Sequence, residues 1–373
     1  MHTTLPRSFY VDPAFYAREL DRFYFGRWIC AGRANQIPRA GDYFTRSVGT
    51  ESVIITRDGA GDIHALFNVC RHRGTRLCDQ PEGHFVDRVQ CPYHAWTYDL
   101  AGRLVAAPHM PPEFRKEEYP LHRAGCEIWD GHIFVHLGAA LSAPSADPIR
   151  PALPASAALP AQLADLPARF APWHMQDLRL HRRIVYDVKA NWKLIVLNYN
   201  ECLHCPNLHP ALNRLHHYLG AENVEPTACY CGGAMGFRDG VETMSMDGKR
   251  RRACLPGLTA GDRQRVVYFA IYPNFLLSLH PDYMMTHTLW PRAHDRTEIV
   301  CEFHFHPDEM AKPDFQADDA IEFWDLTNRE DWWIAEQSQA GINSRVYQPG
   351  PYSERESLLW SFDEIVKREA QNS

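Results

Sequence analysis

Hydrophobic and polar positions change period several times along the chain, and each change marks an element. Phe15, Leu20, Phe23 and Tyr24 recur at roughly helical spacing behind Asp12-Pro13. That predicts a helix with Asp12 as its N-cap and Pro13 in its first turn. From about residue 40 the texture turns to short alternating runs. Runs 52–57 and 63–67 flank Asp58-Gly59, and runs 128–129 and 132–136 flank Asp130-Gly131, so each pair reads as a hairpin. This β texture ends near residue 140. Residues 139–173 are rich in Ala and Pro (Pro144, Pro148, Pro151, Pro154, Pro160, Pro167) and read as a connection. Beyond it, 178–188 is strand-like and 190–204 helical, followed by strands at about 266–272, 283–290 and 296–305 and a long helix at about 316–340. Strands closed by a helix predict an α+β domain, an antiparallel sheet wrapped on helices.

Composition adds bounds. At 373 residues, two domains are expected. The densest apolar run, Leu194-Ile-Val-Leu197, is far short of the roughly 20 residues that span a bilayer. The start, Met1-His-Thr-Thr-Leu-Pro-Arg, lacks the apolar stretch of a secretory signal, so a cytoplasmic location is expected. A formal charge of −7 argues against nucleic acid or an anionic membrane as partner and suits a cationic substrate. The eleven cysteines are irregularly spaced. Apart from the two cluster ligands argued below, Cys30, Cys78, Cys126, Cys202, Cys205, Cys229, Cys231, Cys254 and Cys301 read as reduced thiols.

The chemistry begins with two mixed pairs, Cys70-Arg-His72 and Cys91-Pro-Tyr-His94. A structural zinc site usually groups its ligands by type, Cys with Cys and His with His. Here each knuckle carries one thiolate and one imidazole, as a Rieske [2Fe–2S] centre requires: two thiolates on one iron, two histidines on the other. Gly74 permits a tight turn in the first loop and Pro92 stiffens the second.

A second constellation follows in Asn191-Trp-Lys … Glu201-Cys-Leu-His204-Cys-Pro-Asn-Leu-His209-Pro. Glu201 and His204 are predicted to share a helix face, and Pro206 to disrupt the helix so that His209 swings back beside His204. Two imidazoles and one carboxylate with open positions opposite form the facial triad of non-haem Fe(II) oxygenases. Four carboxylates on the long C-terminal helix compete for the third place: Asp325, Glu330, Asp331 and Glu336.

The loops Asn68–Arg76 and Gln90–Tyr98 and the 191–210 segment resemble, in the same order, those of the Rieske non-haem iron ring-hydroxylating oxygenase α subunits. The resemblance spans essentially the whole chain. The Leu5-Pro-Arg-Ser-Phe-Tyr start, Trp28-Ile-Cys-Ala-Gly, Glu201 and the 341–353 tail are similar to the glycine betaine and choline monooxygenase branch. It implies a Rieske domain at 40–140, a connection at 141–173, a catalytic iron domain at 174–373, and an N-terminal segment 1–39 packing with the latter. It implies Cys70, His72, Cys91 and His94 as cluster ligands, and His204, His209 and Asp331 as iron ligands. Glu201, where Asp is common, would bridge a Rieske histidine (His94 or His72) of one subunit to His204 of the next, in a homotrimer. Leu197 departs from the polar residue often found one turn earlier, leaving that work to Asn198 or Tyr199, or to no residue at all. The implied reaction is hydroxylation or N-demethylation of a methylammonium compound with O2, the alternatives being an aromatic or apolar substrate or a non-enzymatic Rieske electron carrier. No dinucleotide fingerprint or flavin unit is evident, so electrons from NAD(P)H would come through a separate flavin/iron–sulfur reductase or a ferredoxin. Tyr268, Phe269, Tyr272, Phe275, Tyr283 and Trp290 are the aromatic candidates for the pocket wall.

Overall fold

The computed structural model describes residues 1–138 and 158–371, and these fall into two compact units, Phe23–Ala164 and Met1–Arg22 with Asp165–Ser373. Pro144, Pro148, Pro151 and Pro154 of the connection lie outside the described residues. No described helix is long and apolar enough to cross a membrane.

Among the described residues, the Phe23–Ala164 unit holds three antiparallel sheets. Strands Ile63–Phe67, Glu51–Arg57, Asp42–Val48 and Glu82–His84 make the largest, with the hairpin expected across Asp58-Gly59. Gly125–Trp129 and His132–His136 pair across Asp130-Gly131, both residues adopting the positive φ that a tight two-residue turn demands. Ile29–Arg33 pairs with His132–His136. That pairing corrects the expected division at residue 39: the segment after Arg22 belongs with the β unit, and only residues 1–22 join the C-terminal one.

In the other unit, seven antiparallel strands run edge to edge as Arg179–Val188, Arg296–Phe305, Met284–Ala293, Phe275–Leu279, Arg265–Ile271, Tyr230–Phe237 and His216–Asn223. Phe275–Leu279 is buried at every position, as a central strand covered on both faces must be. The longest helices described in this unit are Trp192–Tyr199, Asp318–Ile342 and Ser357–Gln371. At the N-terminus, Asp12 caps Pro13–Glu19 by accepting from Ala14 N at 2.8 Å. Buried Glu19 from that helix meets buried Lys193 at 2.6 Å and accepts from Trp192 Nε1 at 3.1 Å, which ties residues 1–22 to the helix leading to the second ligand cluster.

That helix stops earlier than the sequence predicts. It ends at Tyr199, with Asn200 as C-cap, and Cys205–Leu208 forms a separate turn with Pro206 in its first turn. Residues 201–204 between them are not helical. Pro206 therefore starts a new helical turn, where its missing N–H is no loss, instead of breaking a continuous helix.

Candidate active site

The two Cys-His loops have the same backbone design. Cys70 N donates to Thr75 O (2.8 Å) and Gly74 N to Cys70 O (3.0 Å); Cys91 N donates to Trp96 O (2.8 Å) and Ala95 N to Cys91 O (3.1 Å). Gly74 and Ala95, at equivalent places, both have positive φ, 74° and 56°. Glycine adopts this at no steric cost, and Ala95 is held there by the loop. Both cysteines are buried in an apolar cluster with Tyr43, Leu77, Val89 and Trp96. His72 is exposed and His94 half-buried, with ring centroids 4.7 Å apart. His72 stacks on Trp96 at 4.8 Å, and the His94 Nδ1 atom is buried with no hydrogen-bond partner. A buried, unpartnered imidazole nitrogen beside a second imidazole and two inward thiols fits a [2Fe–2S] centre with its histidines at the outer end. Tyr98 adds a hydroxyl 3.4 Å from Cys70 Sγ, of the kind that tunes a cluster's potential.

In the other unit, His204, His209 and Asp331 bring one ligand atom each to within 4.8 Å of one another. Asp331 Oδ1 lies 2.9 Å from His209 Nε2 and 3.4 Å from His204 Nε2, so both imidazoles aim the same ring nitrogen at one carboxylate oxygen. The opposite nitrogens are held as well: His204 Nδ1 by Glu201 Oε1 at 2.5 Å, and His209 Nδ1 by Glu330 Oε2 at 2.7 Å. A ligating histidine whose other N–H is fixed by a carboxylate is the arrangement that orients a metal site. The three convergent atoms are a suitable donor set for a divalent iron. Iron bound there supplies the activation of O2 for attack on a C–H bond.

The remaining helix carboxylates have other partners. Asp325 accepts from Tyr186 Oη at 2.6 Å and pairs with Arg329, and Glu336 accepts from Lys189 N at 3.0 Å. Glu330, read from sequence as a competing ligand, instead backs His209. Its position beside Asp331 was the available signal, but only the fold shows which carboxylate faces which nitrogen. Glu201 also accepts from Leu203 N, so its carboxylate closes the 201–204 turn from inside. Burial opposes protonation of His204, but Asp331 and Glu201 prevail and raise its pKa to about 9.

A cavity of about 290 Å³ opens beside these residues, lined by His204, His209 and Asp331 together with Tyr199, Tyr268, Trp324, Met235, Cys202, Cys205 and Arg355. Of the six aromatic candidates named from the sequence, Tyr268 lines it; Tyr199 and Trp324, both on helices, do too and were missed. The Cys202 and Cys205 sulfurs, expected as free thiols, are joined in a disulfide.

Comparison with known proteins accounts for both units. The chain matches the Rieske [2Fe-2S] domain over residues 27–123 and the ring hydroxylating alpha subunit catalytic domain over residues 175–371. It is 31% identical to the glycine betaine monooxygenase oxygenase subunit of Pseudomonas aeruginosa, covering 94% of this chain and 85% of that one. It is 28% identical to the chloroplastic choline monooxygenase of Arabidopsis thaliana, covering 96% and 81%. Its fold superposes on a quaternary ammonium Rieske monooxygenase, CntA, in complex with L-carnitine, with a TM-score of 0.78, 23% identity, and 99% and 96% of the two chains covered. The chain thus belongs to the Rieske ring-hydroxylating oxygenase α subunits, in the branch of the glycine betaine and choline monooxygenases, and is an oxygenase component that works with a [2Fe–2S] cluster, a mononuclear iron and electrons from a reductase.

Proposed function

We propose that this oxygenase acts on a zwitterionic quaternary ammonium compound, hydroxylating an N-methyl carbon whose hemiaminal then collapses to formaldehyde and the demethylated amine. The observation that carries the reading is the cavity wall. Tyr199 and Tyr268 lie 6.1 Å apart at 88°, and Tyr268 and Trp324 6.2 Å apart at 76°, three rings at steep mutual angles around the iron site. Ring faces grouped in this way attract a methylated ammonium that cannot donate hydrogen bonds. Among the described residues Arg355 is the one Lys or Arg lining the cavity, and it offers a fork for a substrate carboxylate. Relatives that act on glycine betaine and carnitine, and a relative structure holding L-carnitine, support the same substrate class.

Cys70, His72, Cys91 and His94 hold the cluster in this reading, and His204, His209 and Asp331 the iron. Glu201 carries the link between subunits: Oε1 engages His204, and Oε2, with a second lone pair beyond the Leu203 contact, receives a Rieske histidine of the neighbouring chain. Head-to-tail contacts of this kind close into a ring, here a homotrimer. A flavin/iron–sulfur reductase or a ferredoxin supplies electrons from NAD(P)H in the cytoplasm.

The test is NADH-coupled O2 uptake with formaldehyde detection over a panel of betaines, choline and simple arenes. Arg355→Gln should raise KM for glycine betaine or carnitine about tenfold while leaving choline, which has no carboxylate, nearly unchanged. A dihydrodiol product from arenes, with no formaldehyde from any methylammonium compound, would overturn the substrate class. For Glu201, single-turnover re-oxidation of the reduced Rieske centre should slow strongly in Glu201→Gln with both metal sites full; a wild-type rate would remove the bridging role.

A further inference from the structure

We propose that Cys202 and Cys205 are a reversible thiol–disulfide pair that responds to peroxide inside the active-site cavity and slows turnover when oxidised. Only the assignment of O2 reduction to the His204 site is borrowed from the reading above. The pair brackets His204 in sequence, and its two sulfurs are joined with Cα atoms 5.0 Å apart. Both members line the cavity that holds His204 and His209. Cys202 is half-buried and Cys205 is 2% exposed, the arrangement of an attacking thiol reached from the cavity and a resolving thiol behind it. His216 Nε2 stands 4.0 Å from Cys202 Sγ, a polar neighbour for that thiol.

The oxidant follows from the chemistry of the established activity. When O2 takes up two electrons and two protons and no C–H bond is oxidised, the product is hydrogen peroxide. The Cys202 sulfur attacks one peroxide oxygen, the O–O bond breaks, one water leaves and a sulfenic acid remains. Cys205 displaces its hydroxyl as a second water and the S–S bond forms. Two thiols are oxidised by one peroxide, both of whose oxygens end as water. In a reducing compartment such pairs are transient and reversible.

The consequence is local. Residues 201–204 are not helical, and the backbone bond inside the turn that carries Glu201 and His204 is Cys205 N to Cys202 O at 3.1 Å. A covalent bond between 202 and 205 closes a small ring around His204 and fixes that turn. Reduction frees it.

The experiment treats the reduced holoenzyme, without substrate or reductase, with stoichiometric hydrogen peroxide, and in parallel the iron-depleted protein. Peptide mapping under non-reducing conditions should show a Cys202–Cys205 link and the loss of two free thiols. Turnover measured afterwards should fall on the order of tenfold and return with dithiothreitol, while Rieske absorbance stays constant. Cys202→Ser and Cys205→Ser, each checked for an intact Rieske spectrum, should form no such link, and Cys202→Ser should show no dithiothreitol-reversible loss. Two free thiols after peroxide, or a link that leaves turnover unchanged, would overturn the proposal. So would one zinc per chain held by Cys202, Cys205 and His216, whose ligand atoms also lie within 4.8 Å of one another. Because peroxide is added from outside, failure here is separable from failure of O2 activation.

Discussion

Replacing Glu330 tests whether an acid that touches no iron nevertheless sets the iron's affinity. Its Oε2 is 2.7 Å from Nδ1 of His209, whose side chain is 1% exposed. Water therefore has little room to take over that contact. A hydrogen bond to a charged group contributes about 1.5–3 kcal/mol, or roughly 10- to 100-fold in a binding constant. Glu330→Gln keeps an acceptor at the same reach but loses the charge, and should weaken Fe(II) binding about tenfold. Glu330→Ala leaves Nδ1–H buried and unpaired and should weaken it on the order of 100-fold. Titration of iron-depleted protein with Fe(II), scored by turnover and by retained iron after gel filtration, measures both. Because His204, His209 and Asp331 remain, excess Fe(II) should restore most of the activity of either variant. Wild-type affinity in Glu330→Ala would refute the reasoning. Loss of all iron in Glu330→Ala, with Asp331→Ala still binding it, would exchange the two carboxylates' roles.

Other expectations are shorter. His204→Ala or His209→Ala should abolish turnover with Rieske absorbance unchanged, and Cys70→Ser or His94→Ala should abolish the absorbance. Asp331→Ala should lose catalytic iron in a way that excess Fe(II) does not rescue, read from iron content per chain. Since the two carboxylates hold His204 at a pKa of about 9 without metal, iron uptake below that pH must displace its proton. Proton release in weakly buffered solution should therefore approach one per iron near pH 7 from this residue, with affinity rising as pH rises toward 9. Burial lifts Asp363 to about 7, against about 3.9 for an unfolded aspartate. Its protonated form stabilises the fold in full below the unfolded value, and that contribution is lost as pH rises through 7. Asp363→Asn keeps an acceptor for Tyr352 Oη and should stabilise the fold more at pH 8 than at pH 5, by a difference on the order of 3 kcal/mol in denaturant titrations; an equal effect at both would refute it.

What the sequence made legible depended on how far apart in the chain the cooperating residues lie. Each Cys-His loop carries its Cys and its His within four residues, and its turn residues with them, so the proposed ligands at each knuckle are a purely local pattern. The hairpins at Asp58-Gly59 and Asp130-Gly131 were equally local. His216–Asn223 and Tyr230–Phe237 were not seen. The second carries Gly232 and Gly233, where a Cβ would meet Tyr268 O at 2.2 Å and Glu222 O at 2.5 Å, so close strand packing replaces the apolar alternation that marks a strand. The stop at Tyr199 was missed because Asn200 and Glu201 break no periodic rule; the fold ends the helix by giving Asn200 Nδ2 to Val196 O at 2.6 Å. The partner of His209 was hidden for another reason. Glu330 is 121 residues away, and the choice between Glu330 and Asp331 is one helical step, about 100°, settled by packing of the Asp318–Ile342 helix.

The two histidines of the proposed iron site are therefore restrained by different means. His209 is buried and tied through Nδ1 to a 25-residue helix whose buried residues include Phe323, Trp324 and Ala335. Moving it requires moving that helix. His204 is 19% exposed and is tied through Nδ1 to Glu201, inside one short non-helical turn that also contains Cys202 and ends at Cys205. Moving it requires only that the turn relax. A site whose imidazoles had equal support would pass no local change to one ligand without disturbing the other. Here a change confined to residues 201–205 reaches His204 and Glu201 first, the ligand and the acid through which electrons enter in the proposed assembly. The Asp331–His209 contact, held from the helix side, stays in place.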